Sequence, residues 1–163
     1  MRVLVAHASK QGGTAELAGW IGESLERSGV QADVIPASEV KDVEPYDAVI
    51  LGGALYVFRW HSDARRFAKR HTAALRDKPV WLFSSGPLDD SATEKEIPPV
   101  RSARKAMARV GARGHITFGG RMLPGSKSAL PVGDWRDRSQ VDAWVEEIVR
   151  TLVGSKSPDE VSG

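Results

Sequence analysis

Three short apolar runs set the limits on what this chain can fold into. Val3, Leu4, Val5 and Ala6 form the first, Ala48, Val49, Ile50 and Leu51 the second, and Val80, Trp81, Leu82 and Phe83 the third. Uninterrupted runs of this length predict strands buried on both faces, and such strands belong to parallel sheets covered by helices. Between the runs the period changes. Leu17, Ala18, Ile21 and Leu25 recur at helical spacing across residues 14–27, and Ser28-Gly29 supplies the stop. Residues 30–35 read as a further strand. The third strand is expected to end at Gly52-Gly53. A second helix is expected over 62–75, a third over 100–110 and a short fifth strand over 115–118. A last amphipathic helix is expected over 136–153. Residues 36–46, 87–99 and 121–134 are polar or turn-rich and read as irregular.

Strands that alternate with helices imply βαβ units with right-handed crossovers and an open, doubly wound sheet. Ligands of such sheets sit beyond the carboxyl ends of the strands. The segments that follow strands one, three, four and five should therefore line one site. They are HASKQGGT, GGALYVFRWH, SSGPLDD and GGRML.

Composition narrows the classes. With 163 residues, 41% of them hydrophobic, one domain over 1–153 is the simplest organisation, with a frayed tail over 154–163. There is no cysteine, so disulfides, thiolate metal sites and cysteine nucleophiles are excluded. The four histidines are too scattered to propose a metal site. The net charge of +2 gives no argument for nucleic acid. The N-terminus lacks a signal-peptide pattern and no stretch approaches a membrane span, so the expected location is the cytoplasm, with at most peripheral membrane contact.

His7-Ala8-Ser9-Lys10-Gln11-Gly12-Gly13-Thr14 packs two hydroxyls and two glycines just before the first helix. A helix N-terminus carries unpaired N–H groups and about half a positive charge, which attract an anion. Glycines let backbone amides approach a phosphate, and Ser9 and Thr14 add hydroxyl donors. The same residues also suit a plain N-cap turn with Ser9 or Thr14 as the cap. No Gly-Lys-[Ser/Thr] follows the glycines and no G-x-G-x-x-G is present, so a P-loop and a dinucleotide fingerprint are both disfavoured. Ser84 and Ser85 lack the G-x-S-x-G setting of a hydrolase nucleophile.

Ser9-x-x-Gly12-x-Thr14 after a first strand resembles the phosphate loop of the flavodoxin family, with Gln11 where that family often has a hydroxyl. The resemblance implies a flavodoxin-like three-layer α/β sandwich with a five-stranded parallel sheet of order 2-1-3-4-5. It implies non-covalent FMN held by Ser9, Lys10, Gln11, Gly12, Gly13 and Thr14 at the phosphate. It also implies Ala54, Leu55 and Tyr56 against the ring, with Tyr56 as the stacking aromatic, or else Phe58 or Trp60 in that role and Tyr56 a surface aromatic, and Ser84, Ser85, Gly86, Pro87 and Leu88 at the pyrimidine edge. Leu51-Gly52-Gly53-Ala54-Leu55-Tyr56, Trp60-His61-Ser62, Lys69-Arg70-His71, Lys78 to Ser84, Phe118-Gly119-Gly120-Arg121 and Asp134-Trp135 resemble the flavodoxin-type, menaquinone-dependent protoporphyrinogen IX dehydrogenases. That likeness implies an FMN-dependent oxidoreductase passing electrons from a porphyrinogen to a quinone. Those dehydrogenases carry a long insertion after the fifth strand, where this chain has only residues 122–133.

Two other readings stay open: an electron-transfer protein with a redox protein partner and no substrate of its own, and a flavodoxin-fold domain that has lost flavin. No side chain is assigned an acid–base role. Arg59, His61, Arg65 and Arg66 follow the third strand with Asp63 as the one acid among them. Near a flavin ring they would raise its potential toward a quinone or organic acceptor; otherwise they form a solvated helix face.

Overall fold

The computed structural model describes residues 1–10, 12–125 and 130–154. In chain order it contains β1 (Arg2–Ala8), α1 (Gly13–Arg27), β2 (Gln31–Pro36), a 3-10 turn (Ala37–Glu39), β3 (Ala48–Tyr56), β4 (Arg59–Trp60) and α2 (Ser62–Arg70). There follow α3 (Thr72–Arg76), β5 (Val80–Ser85), α4 (Ser91–Glu94), α5 (Arg101–Val110), β6 (Gly114–Phe118), β7 (Arg121–Met122), β8 (Gly133–Asp134) and α6 (Arg138–Gly154). The five long strands pair in parallel in the order β2-β1-β3-β5-β6. This is the expected 2-1-3-4-5 order of a three-layer flavodoxin-like sandwich. A short antiparallel strand, β4, pairs with the end of β3, and β7 and β8 make a separate small ribbon.

The apolar runs are buried as their pattern demands. Alternate residues of β1 serve opposite faces, as the period of two in a strand requires. Leu4 and Ala6 pack with Phe67, Ala68, Leu75, Ala103 and Val110 beneath α2, α3 and α5. Val3 and Val5 pack with Leu17, Ile21, Trp144, Val145 and Ile148 beneath α1 and α6. On that second face Phe83, Phe118 and Trp144 meet with centroids 5.6 to 6.2 Å apart and tilted or edge-on rings, a favoured aromatic geometry.

Four stretches differ from expectation. β3 does not stop at Gly52-Gly53 but runs on to Tyr56. The glycines are there for close approach: a Cβ at Gly52 would lie 1.9 Å from Cζ of the Phe83 ring, and one at Gly53 would lie 2.6 Å from Trp60 Nε1. The helix expected over 62–75 breaks at His71. The Thr72 hydroxyl donates to the Ala68 carbonyl (2.7 Å) and the Lys69 carbonyl (3.0 Å), competing with the backbone ladder. The expected loop over 87–99 holds the single turn of α4, and the irregular stretch over 121–134 contributes the β7–β8 ribbon. Of the expected tail, residues 155–163 lie outside the described residues.

Candidate functional site

The carboxyl ends of β1, β3 and β5 meet at a cleft of about 200 Å³. Ser9, Gly13 and Thr14 line it from the first loop, Ala54, Leu55 and Tyr56 from the end of β3, and Ser85, Gly86 and Leu88 from the end of β5 and beyond. Two larger hollows lie elsewhere: one of 810 Å³ beside β6 and α6, and one of 720 Å³ between α2 and α5. The small cleft is the one where the loops at the strand carboxyl ends converge, and its donor chemistry sets it apart.

That chemistry begins where β1 gives way to α1. The Ser9 hydroxyl accepts the Gly12 amide at 3.2 Å. Gly12 occupies the helix cap with φ +80, a left-handed geometry that glycine adopts without strain. No side chain caps α1. Among the described residues, the amides of Gly13, Thr14 and Ala15 find no acceptor, and the Thr14 hydroxyl finds no partner although the residue is only 2% exposed. Donors left without an acceptor at the edge of a cleft are free to meet a ligand. A cleft that gathers them at a positive helix end is chemically ready for an anion. Gln11 lies outside the described residues, and Lys10 is exposed at the loop edge.

Tyr56 ties the second loop to the first. Its hydroxyl accepts the Lys10 backbone amide at 2.9 Å, and the Lys10 ammonium lies 5.2 Å from its ring centroid. The third loop is stitched to the residues after β6. The Gly86 amide donates to the Phe118 carbonyl (3.2 Å), the Gly120 amide to the Pro87 carbonyl (2.8 Å) and the Ser85 hydroxyl to the Gly119 carbonyl (3.4 Å). Ser84 stands apart from the cleft. It is 1% exposed, and its hydroxyl lies 2.9 Å from His115 Nε2.

Gly120, Arg121 and Met122, from the GGRML segment expected at this edge, line the cleft as well, whereas Leu130 and the bracing role of Arg136 were not legible in the sequence. The Arg121 side chain lies against the first loop, so that a Cβ on Gly13 would be 3.6 Å from its own Cβ. It pairs with Glu16 at 2.6 Å. The Arg136 side chain is 3% exposed, donates to the Gly13 carbonyl at 3.1 Å and pairs with Asp134 (2.6 Å) and Glu16 (3.2 Å). Its guanidinium sits 4.7 Å from the Trp20 ring centroid. Burial pushes the Glu16 carboxyl up, but hydrogen bonds and charge from the two arginines outweigh it and hold it below the usual range. The Arg136 hydrogen bond likewise holds Asp134 low. The only sequence signal for this cluster was the place of GGRML beyond the fifth expected strand.

The cationic residues after β3 sit elsewhere. Arg59, Arg65 and Arg66 line the α2–α5 groove and not the cleft, so the structure removes the basis for reading them as tuners of a bound ring. His61 caps α2, its Nδ1 accepting the Asp63 amide at 3.0 Å, with its ring 5.9 Å from that of Tyr56. Burial lowers its pKa, which suits an acceptor nitrogen. Among the described residues no group of His, Asp and Glu side chains is placed to hold a metal ion, and no helix is long and apolar enough to cross a membrane.

With fold and cleft in hand, the family follows: the flavodoxin domain family model matches residues 4–123, and the chain belongs to that family. Protoporphyrinogen IX dehydrogenase [quinone] of Escherichia coli strain K12 is 31% identical over 108 residues, which are 64% of this chain and 59% of that protein. The counterpart from Escherichia coli O157:H7 gives the same figures. The matched region thus spans less than two thirds of these relatives. Among solved structures, an archaeal flavodoxin superimposes with a TM-score of 0.67 at 19% identity, over 93% of this chain and 99% of its own. Oxidised flavodoxin 2 from Bacillus cereus gives 0.66 at 19% identity, with the same coverages. The rubredoxin oxygen:oxidoreductase of Desulfovibrio gigas gives 0.68 at 14% identity, over 94% of this chain and 36% of its own.

Proposed function

We propose that this chain is an FMN-dependent oxidoreductase that takes electrons from a porphyrinogen-type small molecule and passes them to a quinone, within one flavin-binding domain over 1–153. The observation that carries the flavin is the first turn of α1. Three amides and the Thr14 hydroxyl converge there without acceptors, at the positive end of a helix, beneath a glycine cap. A phosphate ester is the group that meets this demand.

In this reading Ser9, Lys10, Gln11, Gly12, Gly13 and Thr14 would hold the phosphate. Ala54, Leu55 and Tyr56 would flank the ring, and Ser84, Ser85, Gly86, Pro87 and Leu88 would supply the polar edge, with Ser84 acting through the strand end rather than by contact. FMN, when bound, supplies reversible one- and two-electron chemistry. The protein's own residues bind, orient and shield. Arg136 holds the first turn of α1 in place through the Gly13 carbonyl. Arg121 adds positive charge beside the phosphate loop, moderated by Glu16. The Lys10 amide bond to Tyr56 keeps the ring wall closed against the loop.

The substrate assignment draws its support from the relatives named protoporphyrinogen IX dehydrogenase. A second reading, an electron-transfer protein with a redox partner and no substrate of its own, is favoured by one observation. Stand-alone flavodoxins match 93% of this chain over 99% of their own length. The test is direct. The purified chain is incubated with FMN, freed of excess, and its visible spectrum recorded. Retained flavin bands with turnover of protoporphyrinogen and a soluble quinone support the enzyme. Retained bands without turnover support the carrier, and a colourless protein overturns both.

A further inference from the structure

Val57 and Phe58 form the two-residue turn between β3 and β4, flanked by the pairs Leu55 with Trp60 and Tyr56 with Arg59. Both have positive φ, 49° and 61°. Two-residue hairpins of this geometry favour Asn-Gly, and a β-branched residue resists it. The strain is not offset by burial, since Val57 is 89% and Phe58 87% exposed. Strain kept without internal reward marks a segment shaped for an outside contact.

The apolar exposure is concentrated at this end of the molecule. Among the described residues, eight large hydrophobics are exposed, and five of them are Val57, Phe58, Leu123, Leu130 and Val132. Val57 and Leu130 line the cleft, and Leu123 and Val132 adjoin β7 and β8. Phe58 also lines the 720 Å³ groove between α2 and α5, together with seven cationic side chains that run from Arg59 and Arg65 to Lys105 and Arg109. No acidic residue lines that groove, and among the seven only Arg66 has an ion pair, with Asp63 at 3.4 Å. The whole chain carries only +2, so this face holds a segregated positive field.

We propose that the Val57–Phe58 tip and the α2–α5 groove form one docking surface for an anionic lipid bilayer. The tip enters the boundary between headgroups and acyl chains, and the groove cations face lipid phosphates. A bilayer fits better than an acidic protein because the two most exposed large hydrophobics among the described residues, Val57 and Phe58, sit together at a hairpin tip bordering the cations, and acyl chains accommodate such a tip. Docked this way, the cleft that Val57 lines lies beside the membrane surface. The inference goes beyond the flavin reading and needs only these surface residues.

The test uses the full chain in flotation with vesicles of phosphatidylcholine alone and with phosphatidylglycerol added. Binding to the phosphatidylglycerol vesicles alone, reversed by high salt, is expected. Val57→Asn/Phe58→Gly, which installs the favoured turn residues, should weaken that binding about tenfold or more while the thermal midpoint holds or rises. Phe58→Ser and Lys105→Glu/Arg109→Glu should each weaken it as well. Equal binding to both vesicles, no binding to either, or a tip variant that floats like the parent would overturn the proposal. So would retention on polyglutamate without retention on vesicles, which would assign the face to an acidic protein. Flotation is read with or without flavin, so failure here leaves the FMN reading standing and the spectrum tests it separately.

Discussion

The start of α1 and the tip of the β3–β4 hairpin border the same cleft and meet the same backbone demand with opposite residues. At Gly12 a φ of +80 falls on the residue that adopts it freely. At Val57 and Phe58 positive φ falls on side chains that oppose it. The first turn leaves polar donors unmet and the second leaves apolar atoms unmet. Each is locally incomplete, in a different currency of interaction. The comparison teaches that local misfit gathers where the chain is built to touch something else.

The largest effect tests the frame that holds both turns. Burial lowers the His115 pKa from 6.5 to about 4 in the folded chain. As pH falls, the unfolded chain takes up this proton first. Stability is therefore full above about 6.5 and is lost between there and about 4, by roughly 3 kcal/mol at ~1.4 kcal/mol per unit. His7, His61 and His71 are lowered too and act in the same direction. Urea unfolding at stepped pH should show this slope, and His115→Gln should flatten it; an unchanged slope would clear His115 of the role.

Next comes the polar turn. Thr14→Val keeps the volume and removes the unpartnered hydroxyl. FMN affinity should fall by about 1.5–3 kcal/mol, the worth of a hydrogen bond to a charged group, which is ten- to a hundredfold or more. Unaltered affinity in a fluorescence titration would show that Thr14 does not reach the phosphate. Gly12→Ala should cost about 1–2 kcal/mol of stability, because a Cβ is forced into the left-handed region. Its Cβ has open space, 3.9 Å from Arg121, so backbone strain is the whole effect. The smallest change runs the other way. Val57→Asn/Phe58→Gly should gain about 1 kcal/mol in thermal or urea unfolding. A loss there would mean that the tip is comfortable as it stands, and the contrast between the turns would collapse.

Much of the fold was legible because its signals are local and periodic. The runs around Leu4, Ile50 and Leu82 announced buried strands, and the spacing of Leu17, Ile21 and Leu25 announced the helix that covers them. The phosphate loop was equally plain, since glycines and hydroxyls before a helix carry a chemical meaning of their own. What resisted reading depends on partners distant in the chain. Gly52-Gly53 looked like a stop, but Phe83 and Trp60 turn it into strand interior. Ser84 looked like part of the loop until His115 claimed its hydroxyl. Arg136 reached the Gly13 carbonyl across 123 positions.

The sequence by itself therefore determined the class of fold, the order of its elements and the loop that asks for an anion. Hydrophobic period, chain handedness and helix-end electrostatics act within a few residues, so they can be read along a line. Tertiary structure alone decided that two arginines brace the cleft those loops share, that Leu130 joins its lining, and that the basic residues after β3 face a groove with α5 instead. Those outcomes depend on packing between residues far apart in sequence, where distance and burial, not residue type, set what a side chain meets.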